Sequence, residues 1–414
     1  MRKIIASINI DSDNVRLVVG EFFENHLNIL SASKISSNGI QDGKIIDAVE
    51  ASNSIKNAVR EASRSLGTDI KRIILGIDAR HLQLIKSSAS IDVKNKDGII
   101  TGEEVEEVLY KSGEEKVPAH YALTGIIPVE FLVDNNTPTK DPKGISSQNL
   151  GVKSILSLSP KNYVVELLSL MKESGLKVVD VVLNPLGDYQ MFKNSTTEKE
   201  VGVIINLGFD ISTVSVYNRG ILTNAKSYHT GVKTIIGDIS YVYKIDDGSA
   251  EGIYKDLALA NTRLANPNEY RLVTTLDREK IKVTEHEVSE IASSRIVDML
   301  NLFKNSINTL TKKEISYIIV TGALTELKDF KLTLEGVFGK NVYLGEVKQI
   351  GARENGYVSS IGVIKYYEAD LELKEENFSI FSESEIDEIN ESGTKSGEEK
   401  DSLFSKVFGY FFDS

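Results

Sequence analysis

Lys3-Ile4-Ile5-Ala6-Ser7-Ile8-Asn9-Ile10 is followed by Asp11-Ser12-Asp13-Asn14 and then by Val15-Arg16-Leu17-Val18-Val19-Gly20-Glu21. An apolar run, a polar turn and a second apolar run predict two strands joined by a tight connection. Leu27–Ser33 reads as a third strand. Ala48–Ser65 carries Val49, Ile55, Val59 and Ala62 at helical spacing, and Lys71–Ile77 is apolar again. A hairpin, a third strand, a helix and a further strand predict an α/β unit with a mixed sheet.

The unit recurs. Val201–Asn206 is an apolar strand, Leu207–Ser212 a turn with Gly208 and Asp210, and Thr213–Tyr217 a second strand. Asn218-Arg219-Gly220 then turns the chain into Ile221–Lys226. Two copies of one strand–turn–strand unit predict two related lobes. Turns whose backbone N–H groups and hydroxyls face inward cradle phosphate oxygens. Asp11–Asn14, with Ser12 and Asn14, and Gly208–Ser212 are the candidates, and facing each other they would clamp a nucleotide. Ile318–Leu327 runs from a buried strand into a small-residue turn at Gly322, where a base or ribose can approach the backbone. The small residues of Asn355–Val363 suit a closely packed helix.

Two phosphate hairpins, an adenosine turn and a closing small-residue helix, in this order, resemble the actin and sugar-kinase superfamily. Within it the chain resembles the FtsA family. The resemblance rests on Ser36–Asp47 before the first helix. It rests further on Ile126-Ile127-Pro128-Val129-Glu130-Phe131-Leu132-Val133-Asp134, followed by Lys140-Asp141-Pro142-Lys143-Gly144-Ile145. It implies an actin-like (ribonuclease H-like) two-lobed α/β fold with duplicated mixed sheets and an inserted SHS2-type subdomain. The implied divisions are 1–82 with 163–198 (lobe 1), 83–162 (the insertion), 199–227 with 309–367 (lobe 2) and 228–308 (a further subdomain).

The resemblance implies ATP and Mg²⁺ as ligands of the cleft, through Ser12, Asn14, Asn206, Gly208, Ser212, Gly231, Lys255 and Gly322. This chain departs from the family pattern at the phosphates. Asn9 and Asn206 stand where acids are expected, and Phe209, Asp210 and Ile211 where small residues are. Magnesium favours carboxylates with phosphate oxygens. We therefore expect weakened nucleotide binding, no resident metal and nearly no hydrolysis, so no catalytic residue is assigned.

Composition narrows the rest. The chain has 414 residues, 41% of them apolar, and a net charge of −12. That balance argues against a duplex nucleic-acid binder. The absence of cysteine excludes disulfides and thiolate chemistry, and the five histidines have no metal-ligand spacing. No apolar run approaches the ~18 residues of a membrane span. Asn9, Asp11 and Asp13 break the opening run too early for a signal peptide, so a cytoplasmic location is expected.

Glu368–Lys400 holds twelve acidic residues against three basic and reads as a disordered, self-repelling linker. In 401–414, Leu403, Phe404, Val407, Phe408, Phe411 and Phe412 fall on one face of a helix, the pattern of an interfacial membrane anchor. With only Lys400 and Lys406 nearby, this segment is expected to bind lipid through apolar burial and to be insensitive to salt. Glu285–Asn308 reads as a long helix burying Val288, Ile291, Ile296, Met299, Leu300 and Phe303.

The resemblance implies an anchor that polymerises beneath the membrane at the division site. It would hold the FtsZ C-terminal tail, with Arg295 and Lys304 facing that acidic peptide, and engage other division proteins. Two other readings stay open: an actin-like adaptor of a type IV pilus or secretion assembly, and a sugar or acetate kinase.

Overall fold

The computed structural model describes residues 3–382 apart from 25, 96, 115, 116 and 135, together with 385 and 386. In lobe 1, β1 (Lys3–Ile10) pairs antiparallel with β2 (Asn14–Phe23), and β2 with β3 (His26–Ser36). A short hairpin, β4 (Ile40–Gln41) and β5 (Lys44–Ile45), leads into α1 (Ala48–Leu66). After it β6 (Arg72–Ile77) lies parallel to β1.

The Asp47 carboxylate starts α1 by accepting from the amides of Val49 and Glu50, and Gly67 ends it at φ 76°. The buried face of α1 is Ala51, Ile55, Ala58, Ala62 and Leu66, which corrects the placement of Val49. Val49 is 70% exposed. At about 100° per residue it stands roughly 200° from Ala51 around the helix.

The insertion follows. Its strands are β7 (Gln83–Asp92), β8 (Tyr121–Val133), β9 (Thr137–Thr139) and β10 (Asn149–Pro160), with α2 (Gly102–Gly113) between β7 and β8. They form one sheet in the order β7-β10-β8-β9 around a separate core that includes Val105, Val108, Phe131 and Leu150. Next, α3 (Lys161–Glu173) returns the chain to lobe 1, where β11 (Lys177–Leu183) completes the sheet β11-β6-β1-β2-β3. The crossing helix α4 (Asn184–Phe192) leads out of lobe 1.

Lobe 2 repeats the plan. Its strands β12 (Val201–Leu207), β13 (Ser212–Asn218) and β14 (Ile221–Tyr228) form an antiparallel meander. Then come α5 (Val232–Tyr243), α6 (Asp247–Leu257), the hairpin β15 (Tyr270–Thr274) and β16 (Lys280–Thr284), and α7 (Glu285–Leu310). A capping box between Thr284 and Glu287 opens α7. After α7, β17 (Tyr317–Thr321) lies parallel to β12, as β6 does to β1. Helix α8 (Phe330–Phe338) and β18 (Val342–Leu344) complete the sheet β14-β13-β12-β17-β18.

The last helix, α9 (Val358–Leu373), crosses α4 between the two sheets. A Cβ on Gly362 would lie 2.3 Å from the Gly187 carbonyl oxygen, and one on Gly187 would lie 2.6 Å from the Val363 nitrogen. The two backbones therefore touch.

Residues 368–382, expected to open an acidic linker, instead belong to the fold. Glu368–Leu373 is helix, and Phe378, Ile380 and Phe381 pack onto lobe 1. The Ile380 amide donates to the Ile4 carbonyl at 2.8 Å, and Arg72 Nε donates to the Ile380 carbonyl at 2.8 Å. Here the acids have partners: Glu368 pairs with Lys3 at 3.1 Å, Asp370 with Lys374 at 2.6 Å, and Glu375 accepts from the Gly102 amide at 2.9 Å. Residues 387–400, and 401–414 with Leu403, Phe404, Val407, Phe408, Phe411 and Phe412, lie outside the described residues.

Gly362→Ala should lower stability by about 1–3 kcal/mol in urea titration through overpacking at the helix crossing. Gly237→Ala, on α5 with nothing within 4 Å of the added Cβ, should instead raise it by up to ~1 kcal/mol.

Candidate functional site

The ends of β1 and β12 meet the crossing helices through two equivalent asparagines. Asn9, the penultimate residue of β1, is buried and donates to Asn184 Oδ1 on α4 at 2.6 Å. It accepts from Ser360 Oγ on α9 at 3.1 Å. Asn206, in the same position of β12, donates to Asp188 Oδ2 on α4 at 2.9 Å and to Ser359 Oγ on α9 at 3.1 Å. Ser359 in turn donates to Asp188 Oδ1 at 2.7 Å. Asn184, Asp188, Ser359 and Ser360 are thus part of the site, although nothing in their local sequence marks them as partners of residues so distant in the chain.

The turns face each other and are joined directly. Ser12 Oγ donates to Asp210 Oδ2 across the cleft and accepts from the Gly43 amide at 3.2 Å. Lys233, in the first turn of α5, reaches Asp42 of the β4–β5 hairpin at 2.8 Å and holds its carboxyl below the usual range. Within the first turn, Arg16 is clamped between Asp11 at 2.7 Å and Asp13 at 3.0 Å. Arg80 pairs with Asp78 at 2.7 Å, donates to the Gly43 carbonyl at 2.6 Å and lies 4.6 Å over the Tyr163 ring.

Asp11, Asp13, Asp42, Asp78, Asp188 and Asp210 therefore surround the cleft against Arg16, Arg80 and Lys233. Lost hydration raises the Asp11 carboxyl towards 7, the carboxylates of Asp13, Asp210 and Asp78 adding to this and Arg16 opposing it. With 44% of its side chain open to cleft water, Asp11 keeps part of its hydration. Burial likewise pushes Asp188 up to about 6 against its hydrogen bonds from Asn206 and Ser359.

The fit to a nucleoside triphosphate is poor. The enclosed space lined by Asn9, Asp11, Asn206, Gly208, Asp210 and Gly322 is about 60 Å³, against roughly 300–1,000 Å³ for ligand pockets. A helix N-terminus usually offers free amides to an anion. At α5 those of Val232 and Lys233 are already taken by the carbonyls of Gly208 at 3.3 Å and Phe209 at 2.8 Å.

Of the residues expected to hold ATP, Asn206, Gly208 and Gly322 line this space and Ser12 closes it. Gly322 has φ 101°, and a Cβ there would meet Asn206 Oδ1 at 2.5 Å. Asn14 bonds to Asp13 at 2.6 Å, Ser212 to the Thr230 carbonyl at 2.7 Å, and Gly231 is the residue before α5. Lys255 stands apart, exposed on α6 and paired with Glu251 at 2.6 Å. Arg295 is held by Asp238 at 2.5 Å, and Lys304 donates to the Val337 carbonyl at 2.7 Å, so both cations on α7 have partners within the chain.

A family described as the SHS2 domain inserted in FtsA matches residues 79–158. Cell division protein FtsA of Bacillus subtilis (strain 168) is 25% identical over 369 residues, covering 88% of this chain and 83% of its own. That of Enterococcus hirae is 27% identical over 362 residues, covering 87% and 82%. The chain is thus similar to FtsA proteins over most of its length and carries the FtsA-type insertion. Solved structures agree on the actin-like fold. A PilM–PilN type IV pilus biogenesis complex superimposes with a TM-score of 0.58 at 12% identity, over 87% of this chain and 98% of that one. MreB5 of Spiroplasma citri bound to ADP gives 0.51 at 12% identity, over 89% and 95%. FtsA-type insertion and actin-like lobes are thus both present in this chain.

Because the folded Asp188 carboxyl titrates above its usual value, its contribution to stability is full below about pH 4 and is lost as pH rises through about 6. Relative to Asp188→Asn, the unaltered chain should lose about 3 kcal/mol between those conditions and neutral pH, read by urea titration at each pH.

Proposed function

We propose that this chain acts in cell division as a protein of the FtsA type. It anchors FtsZ filaments to the cytoplasmic face of the cell membrane at the division site and assembles with itself as an actin-like filament. The observation that carries this reading is the FtsA-type insertion, a four-stranded sheet with its own core set into lobe 1. The apolar face of 401–414 supplies the attachment to lipid. Among the described residues no helix is long and apolar enough to cross a membrane. A row of subunits, each adding one weak anchor, would hold a filament by avidity. The FtsZ C-terminal tail is received by the subdomain of α5 to α7, and other division proteins bind the assembled row.

Nucleotide has at most a minor part in this proposal. The Ser12–Asp210 contact occupies the space between the two turns, and Asn9 and Asn206 supply no charge to a metal. The kinase reading lacks a catalytic carboxylate at those same positions. The pilus-adaptor reading has only a shared fold behind it.

Flotation with vesicles, using the intact chain and a version ending at Lys400, each with and without FtsZ, tests the anchor. The intact chain should float and carry FtsZ with it, and the shortened one should do neither. Equal flotation of both would refute the assignment. A ligand at a hundred times its Kd stabilises by about 2.7 kcal/mol, so millimolar Mg-ATP should leave the melting temperature of the isolated protein unchanged. ATP turnover at a clear rate that persisted in Asn206→Ala would overturn the weakened-site proposal.

A further inference from the structure

Helix α1 carries Lys56, Arg60 and Arg64 one turn apart along one exposed face. Like charges at this spacing repel and weaken a helix. Among the described residues none of the three forms an ion pair, and Arg60 bonds only to the side chain of Asn57, at 2.8 Å. They line an open groove of about 610 Å³ with the 67–71 loop, which includes Lys71, and residues 174–176 that follow α3. Asp69 is the one carboxylate in that lining, in a chain whose net charge is −12.

A charged row on a helix is commonly just a solvated face. Its position here says more. Lys71 immediately precedes Arg72, and Arg72 fastens the departing chain through the Ile380 carbonyl at 2.8 Å, with its guanidinium 5.9 Å from the Phe378 ring centre. Beyond that point Glu385 lies in the field of Arg72 and Lys71. Phe378, Ile380 and Glu385, among the last described residues before the apolar run 401–414, therefore lie beside Lys71 of the groove. Residues 387–400 span about 50 Å at full extension, which limits how far the base of lobe 1 can stand from whatever holds 401–414.

We propose that this groove seats the phosphates of anionic lipid headgroups, so that the membrane is held both by the apolar segment and by the base of lobe 1. The inference rests on the membrane reading of 401–414. It adds a salt-sensitive contribution to an anchor that was expected to depend on apolar burial alone. Lipid phosphate fits because two guanidinium forks and two ammonium groups are offered together at an open groove with a single carboxylate. The second role of the groove is orientation: a body held at one point pivots, while a body held at two presents one side to the lipid.

The test is flotation of the full chain on vesicles of phosphatidylcholine alone and of phosphatidylcholine mixed with phosphatidylglycerol. The variants are Lys56→Gln/Arg60→Gln/Arg64→Gln, a lobe 2 control Lys313→Gln/Lys340→Gln/Lys348→Gln with the same change in charge, and the version ending at Lys400. At about fivefold per basic residue near an anionic surface, the groove variant should lose roughly 100-fold in affinity for the mixed vesicles at low salt. It should bind neutral vesicles as the unaltered chain does, which also reports that it is folded, and its residual binding to mixed vesicles should fall less steeply with added salt. Arg64→Gln alone should lose a part of the same affinity. A groove variant that bound mixed vesicles like the unaltered chain, or no worse than the lobe 2 control, would overturn the inference. If instead the version ending at Lys400 kept its binding to neutral vesicles, the anchor reading itself would be the one to fall.

Discussion

The backbone contact between Gly187 and Gly362 sets the distance between α4 and α9, and the rest of the centre is built on that distance. Both helices lie between the two sheets. Only at this separation do Asn184 and Asp188 on one helix, and Ser359 and Ser360 on the other, reach the ends of β1 and β12 together. Side chains on either glycine would push the helices apart, and buried polar groups left without partners cost more than the hydrogen bonds themselves contribute. Packing and polar satisfaction therefore depend on the same two positions.

The duplication in the sequence becomes a near-symmetry around this crossing. Each lobe presents an asparagine at the end of its first strand, and each asparagine is held by one residue of α4 and one of α9. The symmetry breaks at Asp188, where the partner of Asn206 is a carboxylate while that of Asn9 is an amide. That single carboxylate is buried and favours its proton. Around it the turns bring together more acid than base, so a polyphosphate would enter against a negative field. Ser12 and Asp210 make a compact protein–protein contact in the same gap.

Strands were legible because they are apolar runs bounded by turn residues. Lys3–Ile10 and Val201–Leu207 fall within a residue of the reading for that reason. The helix phase was harder, since Ala51 and Ala58 carry less apolar weight than Val49, yet small residues are what the close approach of α1 to its sheet selects. The insertion was legible through a family resemblance, its sheet of alternating strands being unremarkable in composition. Contacts between distant residues left no local signal: Asp188 and Ser359 read as ordinary helix residues until the crossing joins them to Asn206. Charge counting also misled at 368–382, because Lys3, Lys374 and the α2 amide neutralise acids that look unpaired in one dimension.

Net charge conceals an arrangement. The cleft between the lobes is acidic, while the outer face of α1 is basic and unpaired. These faces lie on opposite sides of the lobe 1 sheet's strand direction, since the turns follow the ends of β1 and β12 whereas Arg72 opens β6. Arg72 links the two regions: it is tied to the Ile380 carbonyl and is adjacent in sequence to the last cation of the groove. A segment fastened at that point transmits its position to β6 and so to the sheet, rather than to a free end. On the membrane proposal, the fastening at Arg72, and not the apolar segment alone, would set which side of the molecule faces the lipid.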